Sequence, residues 1–113
     1  MTIPEEVQVD AILTGKIWNI VHRYCNGEWS SLSKYWTVKF QEIANEAKRR
    51  DLESFVFAKP ISEGYWLLQG QSGYLVCYVE RGIKMHPEEF ANLEPAFLCW
   101  LKNTLQSHQL PIT

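Results

Sequence analysis

Tyr74-Leu75-Val76-Cys77-Tyr78-Val79-Glu80-Arg81-Gly82 is an unbroken run of aromatic, aliphatic and β-branched residues that stops at two opposite charges and a glycine. Residues of this kind fit a pleated, half-buried surface, and a glycine supplies the turn that ends it, so the run reads as a β-strand. Tyr74, Val76 and Tyr78 fall on one face of that strand, and Leu75, Cys77 and Val79 on the other. Both faces are apolar, which predicts helices over one side of the sheet and aromatics or a partner over part of the other. Upstream, Gly70-Gln71-Ser72-Gly73 separates the run from Tyr65-Trp66-Leu67-Leu68, and Pro60 to Gly64 separates that from Ser54-Phe55-Val56-Phe57-Ala58. Neither link has room for a crossover helix, so these strands are expected to pair as antiparallel hairpins. Downstream, Ile83-Lys84-Met85 extends the sheet to three or four strands, and Pro87-Glu88-Glu89 is expected to open a helical turn with acids at its positive end.

The flanks carry a period of 3.6 instead of 2. Val9, Leu13, Ile17, Ile20 and Tyr24 lie on one helical stripe. Thr2 and Glu5 stand at capping-box spacing ahead of it, and Asn26-Gly27 provides a left-handed stop, so one helix is expected to reach about Cys25. Trp36, Phe40, Ile43 and Ala47 mark a second helix ending near Asp51, with Lys48-Arg49-Arg50 as a solvated basic end. Phe97, Trp100, Leu101 and Leu105 mark the last helix, with a break or restart expected at Pro95. The fold class that follows is α+β: two N-terminal helices, a three- to four-stranded antiparallel sheet and a C-terminal helix, in the order α-α-β-β-β-α.

A chain of 113 residues suits one domain, 1–113, around one core. Its 46% hydrophobic and 21% charged residues are those of a folded globular protein. A net charge of −2 argues against binding a nucleic-acid backbone. The N-terminus lacks the pattern of a signal peptide and no apolar run approaches the roughly 20 residues of a membrane span, so a cytoplasmic location is expected and no membrane partner. Cys25, Cys77 and Cys99 form no CxxC pair and are expected as free buried thiols.

Little in the chain points to catalysis. His22 and Cys25 stand three apart, within reach of one helix face, but His86 and His108 are isolated and add no second ligand pair. His108 lies near a terminus expected to fray. Glu5, Glu6, Glu88 and Glu89 sit at expected helix starts, where capping and the helix dipole account for them. The glycines at 64, 70, 73 and 82 form no phosphate-binding pattern. No metal, cofactor or catalytic residue is therefore expected. Five tryptophans cannot all be fully buried, and Trp29 and Trp66, in or beside loops, are the two expected at the surface.

The strand ending Tyr78-Val79-Glu80-Arg81-Gly82, the connection carrying Phe90, and the last helix with Ala96-Phe97-Leu98-Cys99-Trp100-Leu101 together resemble some small immunity proteins of bacterial polymorphic or contact-dependent toxin systems. The resemblance covers about the last third of the chain as motifs and the rest as architecture. It implies a protein that binds and neutralises a cognate toxin domain without catalysis, and it carries over no residue roles beyond the strand-end motif.

Tight, fast capture of a basic toxin calls for acidic residues that steer it and aromatic anchors that become desolvated at the centre of the contact. Asp51, Glu53 and Glu63, on either side of the first expected strand, with Tyr65 and Trp66 beside them, form the candidate partner-binding edge. Glu80 and Arg81 are read both as a surface ion pair at a strand end and as an organiser of the surface beside the last helix. Two other readings stay open. One is a small-ligand or enzymatic domain with a pocket lined by Tyr65, Tyr78 and Trp100 and Arg81 as anion clamp; the other is a phage or host accessory protein that blocks a different macromolecule.

Overall fold

The structure, a computed structural model, describes residues 2–113. Its elements are α1 (Glu5–Thr14), α2 (Ile17–Tyr24), α3 (Leu32–Tyr35), α4 (Phe40–Arg49), β1 (Gly64–Gln69), β2 (Tyr74–Glu80), β3 (Ile83–Phe90) and α5 (Leu93–Ser107). The α+β class and the order of N-terminal helices, three-stranded antiparallel sheet and C-terminal helix are as read from the sequence. The chain divides into two compact units, one of residues 1–47 and 105–113, the other of residues 48–104.

In the first unit the apolar stripe of the N-terminal segment is real, since Val9, Leu13, Ile17 and Ile20 are all buried. The rod is not continuous. Gly15 takes φ 72°, and the Lys16 N–H donates back to the Ala11 oxygen at 2.8 Å, a left-handed close that ends α1 before α2 begins. The expected capping box is also absent: Pro4 stands at the N-cap and no side chain caps the helix. Asn26 and Gly27, at φ 52° and 79°, make the second stop where it was expected. Trp36, expected within the second helix, instead lies in extended backbone before α4 begins at Phe40.

The polar residue of this core is Gln8, fully enclosed on α1. Its Nε2 donates to the Ile3 oxygen at 2.8 Å and to Thr37 Oγ1 at 2.9 Å. Its Oε1 accepts the amides of Thr37 at 2.8 Å and Val38 at 3.3 Å. One side chain thus satisfies backbone groups of two irregular segments that no helix or strand could pair. The C-terminal tail is likewise held: Gln109 adopts φ 58°, the Leu110 N–H donates to the Leu105 oxygen at 2.9 Å, and Leu110 is buried. Fraying at His108 is prevented because the apolar Leu110 anchors the turn that follows α5.

In the second unit the sheet order is β1-β2-β3, antiparallel throughout. The expected first strand over residues 54–58 is replaced by a single 3-10 turn, Leu52–Phe55, and an isolated bridge from Phe57 to Leu68. The third strand comes instead from Ile83–Phe90, so the helical turn expected at Pro87-Glu88-Glu89 is an edge strand. Proline is compatible with an edge strand because its missing N–H faces no ladder there. A bulge makes room for it: between Tyr78↔Met85 and Val76↔Glu88 the register gains one residue, and His86 takes φ 51°. Pro95 does not break α5 but sits in its first turn, where no hydrogen bond is lost.

The β2–β3 turn has Arg81 at φ 53° and Gly82 at φ 78°, the left-handed pair of a type I′ hairpin, whose twist matches that of the strands. Arginine is disfavoured at such a φ, whereas asparagine adopts it at little cost. Arg81→Asn is therefore expected to stabilise the chain by roughly 0.5 to 1 kcal/mol. A fall in melting temperature would show that the Arg81 side chain contributes more than its backbone strain costs. The β1–β2 connection is also glycine-dependent, because a Cβ on Gly73 would lie 2.2 Å from the Phe90 carbonyl oxygen.

Candidate functional site

The register of the sheet places Tyr65, Tyr78 and Met85 in one row across all three strands. The Tyr65 and Tyr78 rings meet edge to face, with centroids 5.0 Å apart. From α5 the Trp100 indole donates to the Tyr65 carbonyl at 3.1 Å and tilts against Phe97, which is itself buried. One step toward the hairpin, Ile83 stands opposite Glu80 on the same face. Ile83 is 64% exposed and Met85 37%, while Tyr65, Tyr78 and Trp100 are half-buried. The result is an aromatic and aliphatic surface that is partly exposed, most of all at Ile83 and Met85.

Acidic groups rim it. Glu63 and Glu80 are both exposed, and Glu63 Oε1 accepts the Arg81 N–H at 3.4 Å. The Arg81 backbone thus ties the hairpin to Glu63, on the segment that leads into β1. Glu63, Tyr65, Glu80 and Arg81 are therefore brought together at the hairpin end of the sheet.

The other candidate residues lie elsewhere. Glu53 Oε1 accepts the Tyr74 hydroxyl at 2.8 Å, and the Asp51 side chain accepts the Glu53 amide at 3.2 Å. Tyr74 is at the far end of β2 from Glu80, about 20 Å along the strand, so this acidic pair is remote from Glu63. The Glu53 carboxylate, by holding the neutral phenol, raises the Tyr74 pKa. Trp66 lies opposite Cys77, on the other face, where its indole donates to the Ser62 oxygen at 2.8 Å and its ring meets Phe57 edge-on. Trp66 is half-buried, and Trp18, at 49% exposure, takes the place expected for it at the surface beside Trp29.

The first unit holds an aromatic ladder that strand and helix patterns could not show. Trp18 stacks on Trp29 at 5.6 Å, Trp29 stacks almost parallel on His108 at 5.3 Å, and His22 tilts against Trp18 at 6.1 Å. Its rings come from α2, the turn before α3 and the tail after α5, a combination with no signature in local spacing. Burial lowers the His108 pKa below its ordinary value. The neutral ring is thus the one the fold favours. Its contribution is fully present above the unfolded pKa of about 6.5 and is lost as the pH falls through the lower folded value. Thermal unfolding from neutral to acidic pH is expected to show this loss, and His108→Phe, which keeps a ring on Trp29 without a titrating group, is expected to flatten that part of the profile. An unchanged profile would assign the acid sensitivity to other groups.

The cysteines make no disulfide: Cys25 and Cys77 are buried and Cys99 is half-buried, not fully enclosed as expected. The Cys99 thiol lies 3.9 Å from Glu88, and burial, with that carboxylate, pushes its pKa up. Cys25 is buried at the C-terminal end of α2, whereas His22 is exposed and tilts against Trp18. Among the described residues no helix is long and apolar enough to cross a membrane, and no group of three or more His, Cys, Asp or Glu is placed to hold a metal ion.

Fold and surface together define a small α+β protein with an acid-rimmed aromatic face. Comparison with protein-family models, with curated proteins and with solved structures returns no match.

Proposed function

We propose that this chain works by binding another protein, and that the partner is a cognate toxin domain which it neutralises without catalysis. The observation that supports the reading is the row Tyr65–Tyr78–Met85 with Ile83 and Trp100: aromatic and aliphatic anchors held by a sheet and a helix yet left partly exposed. Rigid, half-exposed aromatics of this kind are the residues that carry most binding energy once a partner excludes water from them. Glu63 and Glu80 at the rim would speed the approach of a basic partner, an effect that salt screens. The particular toxin reading comes from the strand-end and last-helix resemblance. The proposed surface leaves out Asp51 and Glu53, which lie at the far end of the sheet, and Trp66, which lies on its other face.

The test is co-purification of the tagged chain with the product of the adjacent upstream gene, followed by titration of the complex. Tyr78→Ala is expected to weaken binding about tenfold or more, while Phe57→Ala, on the opposite face, leaves it unchanged. Glu63→Lys with Glu80→Lys should slow association mainly at low salt. Equal losses from Tyr78→Ala and Phe57→Ala would reject this surface. Absence of any protein partner, with a thermal shift from one compound of a metabolite panel, would instead favour a small-ligand site around Tyr65, Tyr78 and Trp100.

A further inference from the structure

The two edges of the sheet are treated differently by the chain. Along β1 the Leu67 oxygen accepts the Phe57 N–H at 3.0 Å, the Gln69 N–H donates to the Phe57 oxygen at 2.9 Å, and the Tyr65 oxygen accepts the Trp100 indole at 3.1 Å. That edge is covered. Among the described residues no strand pairs with the outer edge of β3, and seven of its eight residues are exposed. An open edge is a template for a further strand.

The same bonds reveal which groups of β3 face outward. Tyr65, Leu67 and Gln69 direct their backbone groups away from β2, so by the alternation of an antiparallel ladder their partners Tyr78, Val76 and Tyr74 direct theirs toward β3. Met85, Glu88 and Phe90, opposite those three, therefore point inward. Lys84 and Glu89 carry the outward N–H and C=O groups. In a regular strand two residues five apart would lie on opposite faces with their backbone groups turned to opposite edges. The extra residue of the bulge at His86-Pro87 removes that mismatch: Lys84, opposite Val79, and Glu89, opposite Leu75, share one face and one edge.

We infer that β3 pairs antiparallel with β3 of a second copy about a two-fold axis between His86 and Pro87, with Lys84 of each copy opposite Glu89 of the other. This register is self-complementary. Each Lys84–Glu89 pair meets through outward backbone groups that can exchange both ladder bonds, and it sets opposite charges side by side on the same face. The operation produces both pairs at once, as an isologous contact requires. Met85 falls opposite Glu88 in the same register, and Pro87, which has no N–H to offer, falls at the axis between the two bonded pairs. The bulge and proline that would blunt this edge toward an arbitrary strand are thus matched by an identical strand. The inference does not depend on the toxin reading, since it needs no other protein.

Sedimentation of the purified chain over a wide concentration range tests it. A dimer is expected, weakened about tenfold or more by Lys84→Glu, which places acid opposite acid twice. Adding Glu89→Lys to that variant reverses both partners and is expected to restore the dimer. Glu89→Pro deletes an outward N–H without touching the inner ladder, so it should give a monomer with an unchanged far-ultraviolet circular dichroism spectrum. A wild-type chain that stays monomeric at millimolar concentration overturns the inference. So does a dimer indifferent to Lys84→Glu and Glu89→Pro, or a double variant no better than Lys84→Glu alone. A monomer whose complex with another protein is abolished by Glu89→Pro would give the edge to that partner's strand and equally overturn self-pairing.

Discussion

Gln8→Leu is expected to lower the stability of the first unit by about 3 to 5 kcal/mol, although it replaces a polar core residue by an apolar one of similar size. The Gln8 side chain is fully buried and serves four groups: the Ile3 carbonyl, the Thr37 hydroxyl and the amides of Thr37 and Val38. Leucine fills the space and satisfies none of them. The buried Ile3 carbonyl and Val38 amide, left without partners, cost about 1 to 3 kcal/mol each and the part-buried Thr37 groups add less, which together outweighs the roughly 1 to 2 kcal/mol gained by burying more apolar surface. Denaturant titration reads the difference directly. Thr37→Ala, which removes the hydroxyl and leaves both amide bonds to Oε1, should cost far less. If Gln8→Leu proved neutral, the segments around Ile3 and Thr37 would have to find water or alternative partners, and the clamp would not organise the N-terminal fold.

Phe97→Ala is expected to cost about 3 to 5 kcal/mol in the second unit, by the lost transfer energy of a ring and the cavity it leaves. Phe97 is 1% exposed and meets Phe55 at 5.6 Å and Trp100 at 5.5 Å. Because Trp100 in turn donates to the Tyr65 carbonyl, loss of the Phe97 ring also frees the indole that braces the aromatic row. Stability should therefore fall together with partner affinity. Trp100→Phe separates the two effects: it keeps most of the packing, removes the N–H, and should cost less stability while still loosening Tyr65. A stable Phe97→Ala variant with unaltered binding would mean that α5 does not support the binding face.

Much of the fold was legible because the relevant signals are local. The continuous apolar run Tyr74–Val79 reports a strand covered on both faces, and Val76, Cys77 and Val79 are buried there; the 3.6 period of the last helix reports one buried stripe, and Phe97, Leu101 and Leu105 are buried with Trp100 half-buried at its edge. The structure departs from local preference where that preference competes with strand pairing. Ser54–Ala58 has the residues of a strand, yet just one bridge forms there, while Ile83–Phe90, with a proline and three charges, becomes a full strand because a tight Arg81-Gly82 hairpin returns it onto β2. Propensity in strands is largely a measure of what the neighbouring strand offers. The helix stop at Gly15 leaves no mark in the hydrophobic pattern, because the apolar stripe continues in phase across it. The candidate site was partly legible: Glu63, Tyr65, Glu80 and Arg81 converge, whereas Asp51, Glu53 and Trp66, close to Glu63 or Tyr65 in sequence, are separated by the length of a strand or by the pleat.

By itself the sequence determined the class of the fold, the order of its elements, the burial of the strand and helix stripes, and the acidic and aromatic character of the surface. These depend on residue type and on periods of 2 and 3.6, which are written in the chain. The tertiary structure alone decided which residues face each other: the row Tyr65–Tyr78–Met85, the Gln8 clamp, the ladder from His22 to His108, and the placement of Lys84 and Glu89 on one edge. The physical reason is that registers, bulges and side-chain networks are chosen by long-range packing and by the need to satisfy every buried polar group. No local pattern encodes those conditions, because they are met only when distant segments come together.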